Sequence, residues 1–411
     1  MSVSRRGFLG GVGLAGAGLT VASGCSDAAP AKEAVAQPSP TAGTVPFHGQ
    51  HQAGIATETQ NQLAFATFDL STRSRGELIE LLQTWTTAAA AMTAGQPVIG
   101  DSASDQVPPA DTGEAAGLSP NQLTITIGFG PKLFDSRFGL ADRRPAALVD
   151  LPALPGDQLD PSRCGGDIGV QACANDPQVA FHAIRNLNRL ALGTAAMRWS
   201  QLGFGKTAST SASQATPRNL MGFKDGTRNV RGEDAPTMDK YVWVGAESDQ
   251  KWLRGGSFLV ARRIKMQIES WDHDYLANQQ AVFGRHKVTG APLTGSREFD
   301  KPNLAAKDST GEPVIAADAH IRLASRESNG GLQILRRGYS FTDGMDSQGL
   351  LDAGLFFLAY QKNPDQFITL QRKLGSHDAL NEYISHTGSA VFACPPGVQN
   401  DDGFWGEALF T

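Results

Sequence analysis

Phe258-Leu259-Val260-Ala261-Arg262-Arg263-Ile264-Lys265-Met266-Gln267-Ile268 is the run on which the fold turns. Phe258, Val260, Arg262, Ile264, Met266 and Ile268 alternate with Leu259, Ala261, Arg263, Lys265 and Gln267, which is the two-residue period of a strand. Downstream, Trp271 to Val282 reads as a helix, and Gln333 to Phe341 and Leu355 to Gln361 read as strands. A second helix follows, with Asn363 as cap, Pro364 in its first turn, Phe367, Leu370 and Leu374 inward, and Gly375 as its stop. Ser389 to Cys394 closes with a strand, so the order is strand, helix, strand, strand, helix, strand.

The first half carries the same order. Leu63, Phe65 and Thr67 alternate with Ala64, Ala66 and Phe68, and a helix opens at the capping box Ser74-Arg75-Gly76-Glu77 with Leu78, Leu81, Leu82 and Trp85 on one side. Strands follow at Leu123 to Ile127 and Asp167 to Cys173, then a helix from Asp176-Pro177 to Leu190, then a returning strand from Ala195 to Gly203. Two such units are two tandem ferredoxin-like modules, here residues 47–218 and 219–411. The expected class is α+β, with antiparallel sheets that close against each other in the manner of a dimeric α/β barrel. Between Arg285 and Asp318 the signals for strand and helix fade, and a loop that long in a compact domain is usually functional or mobile.

Ahead of the modules, Ser4-Arg5-Arg6-Gly7-Phe8-Leu9 precedes a glycine-rich apolar run from Gly10 to Ala22. Paired arginines before Phe-Leu are the signature of twin-arginine export, which carries folded proteins, so residues 1–25 read as a signal peptide. The expected destination is the periplasm, the cell envelope or the exterior. Cys25 follows Val21-Ala22-Ser23-Gly24 and suits either ordinary cleavage or a lipid-modified cysteine that would tether the protein to a membrane. Residues 26–46, rich in Pro, Ala, Ser and Thr, read as a disordered tether.

A net charge of -5 without basic clusters argues against nucleic acid as a partner. His48 and His51 lie together near the start of the folded part, while His182, His273, His286, His320, His377 and His386 are scattered, with no spacing that supports zinc. Of the cysteines beyond Cys25, Cys164 and Cys173 could pair, leaving Cys394 alone. No Cys-x-x-Cys-His run is present, which excludes covalent haem attachment.

Three segments carry chemistry together: Asn219-Leu220-Met221-Gly222-Phe223-Lys224-Asp225-Gly226-Thr227-Arg228-Asn229, Asp318-Ala319-His320-Ile321-Arg322-Leu323 and Leu335-Arg336-Arg337-Gly338-Tyr339-Ser340. Alone, the first suits a surface turn as well as a ligand site, because a carboxylate between glycines lets backbone approach closely. Combined, they resemble the dye-decolourising peroxidases, in particular the exported branch that includes deferrochelatase/peroxidase proteins. The resemblance runs from Phe47-His48-Gly49-Gln50-His51 to Cys394-Pro395-Pro396-Gly397-Val398.

That resemblance implies a pair of ferredoxin-like modules enclosing a pocket for haem b, one per chain. It makes His320 the axial ligand of the haem iron and puts Asp225 on the opposite face beside Arg336, with Arg337 as the alternative arginine. Gly226, Thr227 and Arg228, and the segment Ser325-Arg326-Glu327, would line the haem, although relatives commonly carry Asn-Pro-Arg at the latter. Glu382 would accept from the second ring nitrogen of His320, ahead of Asp318 and Asp352. The implied reaction reduces hydrogen peroxide through a high-valent iron intermediate and oxidises aromatic or dye-like donors. Asp225 would accept and return the proton and Arg336 would steady the developing charge. An aspartate must be ionised to start, so turnover in mild acid requires the arginine to keep it charged.

Tyr339, Trp271 and Trp405 are the candidate relays for electrons from donors too large to enter, and packing is their other reading. The alternative activity that the resemblance implies is release of iron from haem for uptake. The implied partners are hydrogen peroxide, small aromatic or porphyrin substrates, a separate iron-uptake permease and further copies of the chain.

Overall fold

The computed structural model describes residues 43–98 and 105–411. The signal peptide and all but the last four residues of the tether lie outside them. Those four already touch the folded part, since the Gln122 N–H donates to the Gly43 carbonyl at 2.5 Å.

The N-terminal module is built from β1 (Gln62–Leu70), α1 (Arg75–Thr93), β2 (Thr124–Phe129), β3 (Ile168–Ala174), α2 (Pro177–Leu190) and β4 (Ala195–Lys206). The capping box at α1 is only half formed. Ser74 Oγ accepts from the Glu77 N–H at 3.3 Å, but Thr72 takes the other arm, accepting from the Ser74 N–H and donating to the Glu77 carboxylate. At α2 the Asp176 carboxylate accepts from the Gln178 and Val179 N–H groups and Pro177 fills the first turn, as the sequence leads one to expect.

The C-terminal module comprises α3 (Ala235–Tyr241), β5 (Ser257–Met266), α4 (Ile268–Asp272), α5 (Leu276–Phe283), α6 (His320–Ala324), β6 (Leu335–Arg336), β7 (Tyr339–Met345), β8 (Leu351–Gln361), α7 (Asp365–His377) and β9 (Ile384–Cys394). Three details differ from the sequence reading. The helix expected from Trp271 to Val282 is two short helices, and the Gln279 side chain donates to the carbonyls of Trp271 and Asp274 at their junction. The strand expected from Gln333 is split at Arg337-Gly338 into β6 and β7, both keeping one register along β8. Gly375 does not stop α7, which runs on to His377; a Cβ there would sit 2.5 Å from the Pro155 carbonyl, so the glycine admits a close backbone crossing.

The strand order within the modules is β2-β3-β1-β4 and β9-β5-β8-β7, the same arrangement twice. The two sheets join along β2–β9 at Phe129 and Ala393, and along β4–β7 at Phe204 and Ser340, so the strands form one closed antiparallel barrel. Closure removes free edges. Inward residues of both halves, among them Leu63, Phe65, Leu259, Tyr339, Phe356, Tyr360 and Phe392, fill the barrel. The alternate residues face outward, Ala64, Ala66 and Phe68 against α1 and α2. Since the side-chain period of a strand is two, each strand serves both layers. Cys164, Cys173 and Cys394 are free thiols, Cys173 and Cys394 inside the barrel.

Candidate active site

On the outer face of the C-terminal sheet the helical cover is incomplete and leaves a deep slot. Ile264 and Met266 of β5, Leu355 and Phe357 of β8 and Ile384 of β9 form its floor, and Phe367, Leu370 and Leu374 of α7 flank it. Flat apolar walls suit a planar macrocycle. The polar side chains that can act on a ligand form two groups in its lining.

In the first group His320 begins α6, a helix too short to hold itself. Arg322 anchors it by donating to the carbonyls of Leu304, Ile315 and Ala316, so the irregular stretch after α5 serves as the support of this histidine. His320 Nδ1 lies 2.6 Å from Asp378 Oδ2, which leaves Nε2 to the slot. Burial disfavours the imidazolium, but the Asp378 charge and hydrogen bond outweigh it and raise His320 above its ordinary value.

The expected acceptor, Glu382, is exposed and does not line the slot. The reason is local: α7 runs past Gly375 and delivers Asp378 beneath the imidazole. The 3-10 turn Ala379–Glu382 that Asp378 caps through the Leu380 N–H ends with Glu382 at the exterior. Of the other carboxylates considered, Asp352 pairs with Arg263, while the backbone carbonyl of Asp318 accepts from Ala379.

The second group centres on Asp225, with Oδ1 2.7 Å from Arg336 Nη1. The loop that carries it folds back on itself. The Asp225 N–H donates to the Pro217 carbonyl and the Asn219 N–H to the Phe223 carbonyl. Both glycines of Gly222-Phe223-Lys224-Asp225-Gly226 have left-handed backbone, φ 82° and 81°, and a Cβ on Gly226 would come within 2.9 Å of Ala208 Cα. Asn229 ties this loop to β6: its side chain accepts from the Arg336 N–H and donates to the Arg336 carbonyl, both at 2.8 Å. Arg337, the neighbour, points the other way into the barrel, donating to the Thr57 and Glu58 carbonyls and to Gln60. Adjacent strand residues face opposite sides, which excludes Arg337 from the slot.

Gly226, Thr227, Arg228, Ser325 and Arg326 line the slot as expected, whereas Glu327 does not. Glu327 instead receives a two-pronged bond from Arg228, at 2.7 and 2.9 Å, whose hydrogen bonds hold its carboxyl at about 2. Sequence reasoning missed Asp378, Asn219, Asn229 and Arg285. Arg285 is buried in the slot wall, its guanidinium donates to the Gly290 and Glu298 carbonyls, and burial lowers it to about 10, so it remains a cation. Lys224 pairs with Glu298, which also accepts from Thr227 at 3.3 Å.

Of the three aromatic candidates only Trp271 adjoins the site. Its ring lies 4.9 Å edge-on from Tyr383 and 5.7 Å from Phe283, which is 6.1 Å from the His320 ring. Tyr339 is sealed in the barrel beside Cys173 and Arg337, and Trp405 packs against Phe47.

An apolar slot lined by an imidazole and a carboxylate-guanidinium pair suits a haem enzyme that activates a small ligand. The chain is similar to known proteins of that kind. The family model described as Dyp-type peroxidase, N-terminal, matches residues 52–205, and the one described as Dyp-type peroxidase, C-terminal, matches residues 216–399. A Deferrochelatase of Escherichia coli is 39% identical over 371 residues, 89% of this chain and 86% of the relative. Ferric DtpA from Streptomyces lividans is 38% identical with a TM-score of 0.81, covering 91% of this chain and 99% of that one. The DyP-type peroxidase from Cellulomonas bogoriensis is 40% identical with the same TM-score, covering 90% and 99%. The chain belongs to the Dyp-type peroxidase family and is a haem-dependent peroxidase.

Proposed function

We propose that the enzyme holds one haem b per chain, with His320 on the iron and Asp225 and Arg336 acting on hydrogen peroxide at the opposite face. The observation that carries this reading is the pairing of Asp225 with Arg336 in the same slot as an imidazole already bonded to Asp378. Asp378 would orient the ring and increase its basicity. Haem iron, when bound, supplies the electrons that cleave the oxygen–oxygen bond. Asp225 accepts the proton from the peroxide oxygen nearer the iron and returns it to the far oxygen, which leaves as water. Arg336 holds the peroxide anion and neutralises charge on the departing oxygen in a dry site. Arg285 and Arg228 are suited to the carboxylates of a haem edge, being cations at the slot wall.

Aromatic and dye-like donors too large for the slot would deliver electrons through Tyr383 and Trp271. Tyr383 donates its hydroxyl proton to Asp274 at 2.9 Å, a partner that can take the proton when the ring is oxidised. The Arg5-Arg6 signal supports export after folding, with haem already inserted inside the cell and with Cys25 as a second, lipid-borne tether where cleavage precedes it.

The identity to Deferrochelatases over most of the chain favours a second reading, removal of iron from haem. Pigment analysis separates the two. Incubated without peroxide, the haem-loaded protein should keep its haem intact, and it should bleach a dye only when peroxide is added. Metal-free protoporphyrin in the peroxide-free sample would establish the second reading instead.

A further inference from the structure

Asn219 lies at the base of the loop that carries Asp225 and is almost fully buried. Its Oδ1 accepts from two backbone groups, the N–H of Met221 at 3.1 Å and that of Phe223 at 3.3 Å. An amide oxygen so engaged fixes which way the group points. Only Nδ2 is left for Asp225, and it lies 3.3 Å from Oδ2, the oxygen that Arg336 does not hold. Both oxygens of the carboxylate therefore face donors, one on β6 and one within its own loop.

We propose that Asn219 is a positioning residue for the peroxide reaction, its side-chain amide fixing the orientation of the Asp225 carboxylate. This rests on the role given to Asp225 above. A carboxylate held at both oxygens cannot rotate away from its substrate. The other charged groups facing Asp225 are Arg336 from β6, Arg285 from the stretch after α5, and His320 on α6. Lys224 and Arg228 flank it on its own loop, and each already has a carboxylate partner in Glu298 and Glu327. Asn219 is the neutral donor of the set. It acts without adding charge to a wall that is already cationic.

The competing account is that Asn219 merely shapes the turn, a task that needs its acceptor oxygen alone. Serine keeps an acceptor at the turn, removes the donor to Asp225 and adds no charge, so Asn219→Ser distinguishes the two. Two quantities are followed in the haem-loaded protein: the rate of reaction with hydrogen peroxide, and the affinity for cyanide, a weak acid whose binding needs the same proton acceptor. In Asn219→Ser both should fall by about tenfold, as the freed carboxylate is no longer held toward its substrate. The ferric haem spectrum and haem stoichiometry should stay those of the parent. Asn219→Thr, which also keeps an acceptor and lacks the donor's reach, should lower both in the same way and serves if the serine variant fails to fold. Parental values of both in the variant that folds would overturn the proposal and leave Asn219 a turn residue. Asp225→Ala is the control for the underlying reading: if it reacts with peroxide at the parental rate, the role of Asp225 fails whatever Asn219 does.

Discussion

At the residue scale, identity of a neighbour matters less than the direction in which the backbone turns it. Arg336 and Arg337 are consecutive, yet one meets Asp225 in the slot and the other is bonded to the carbonyls of Thr57 and Glu58 inside the barrel. The same logic separates Asp378 from Glu382. If Asp378 is what orients His320, Asp378→Asn should weaken haem affinity or peroxide turnover by about 10–100-fold, because the neutral amide accepts less strongly while still capping the following turn. Haem titration and a steady-state peroxidase assay read both effects. Glu382→Gln should match the parent in each. Equal losses in the two variants would contradict the assignment of the acceptor.

At the element scale, the site is assembled from short pieces that hold one another rather than from long helices. The loop that carries Asp225 is bound to β6 through Asn229, and α6 is bound to the irregular stretch after α5 through Arg322. Arg228 and Glu327 add a bond between the loop of Asp225 and the segment that follows the helix of His320, so the two segments that flank the slot are tied together. Asn329 bonds to the carbonyls of Leu323 and Ser325, and Lys373 to that of Ser328, so that segment stays in place without the ion pair. Glu327→Gln is therefore expected to fold normally. Loss of an ion pair that is partly exposed is worth about 1 kcal/mol, which corresponds to roughly fivefold faster transfer of haem to an apoprotein scavenger. Parental transfer kinetics would mean that this pair does not restrain haem.

At the scale of the whole molecule, most elements were legible because their periods and caps are local. The strand alternation at Leu63 to Phe68 and Phe258 to Met266, and the Asp176-Pro177 helix start, appear where the sequence puts them. Closure of the barrel has no comparable trace. Its seams rest on a few residue pairs, Phe129 with Ala393, Phe204 with Ser340 and Lys206 with Tyr339. Gly375 misled as a helix stop because its role, passage of the Pro155 backbone, depends on a segment more than two hundred residues away in the chain. His320, Asp225 and Arg336 were singled out because the three segments that carry them are distinctive together, and all three line the slot. Asp378 was not, because its partnership follows from where α7 ends.

All these scales converge on one claim, that Asp225 and Arg336 perform the peroxide step opposite His320. Rapid mixing of the haem-loaded protein with hydrogen peroxide, followed by the haem absorption band, tests it most directly. Asp225→Ala should slow the first spectral change by about 10²–10⁴-fold and Arg336→Leu by about 10²–10³-fold, both with an unaltered ferric starting spectrum. First-phase rates equal to the parent in both variants would contradict the account.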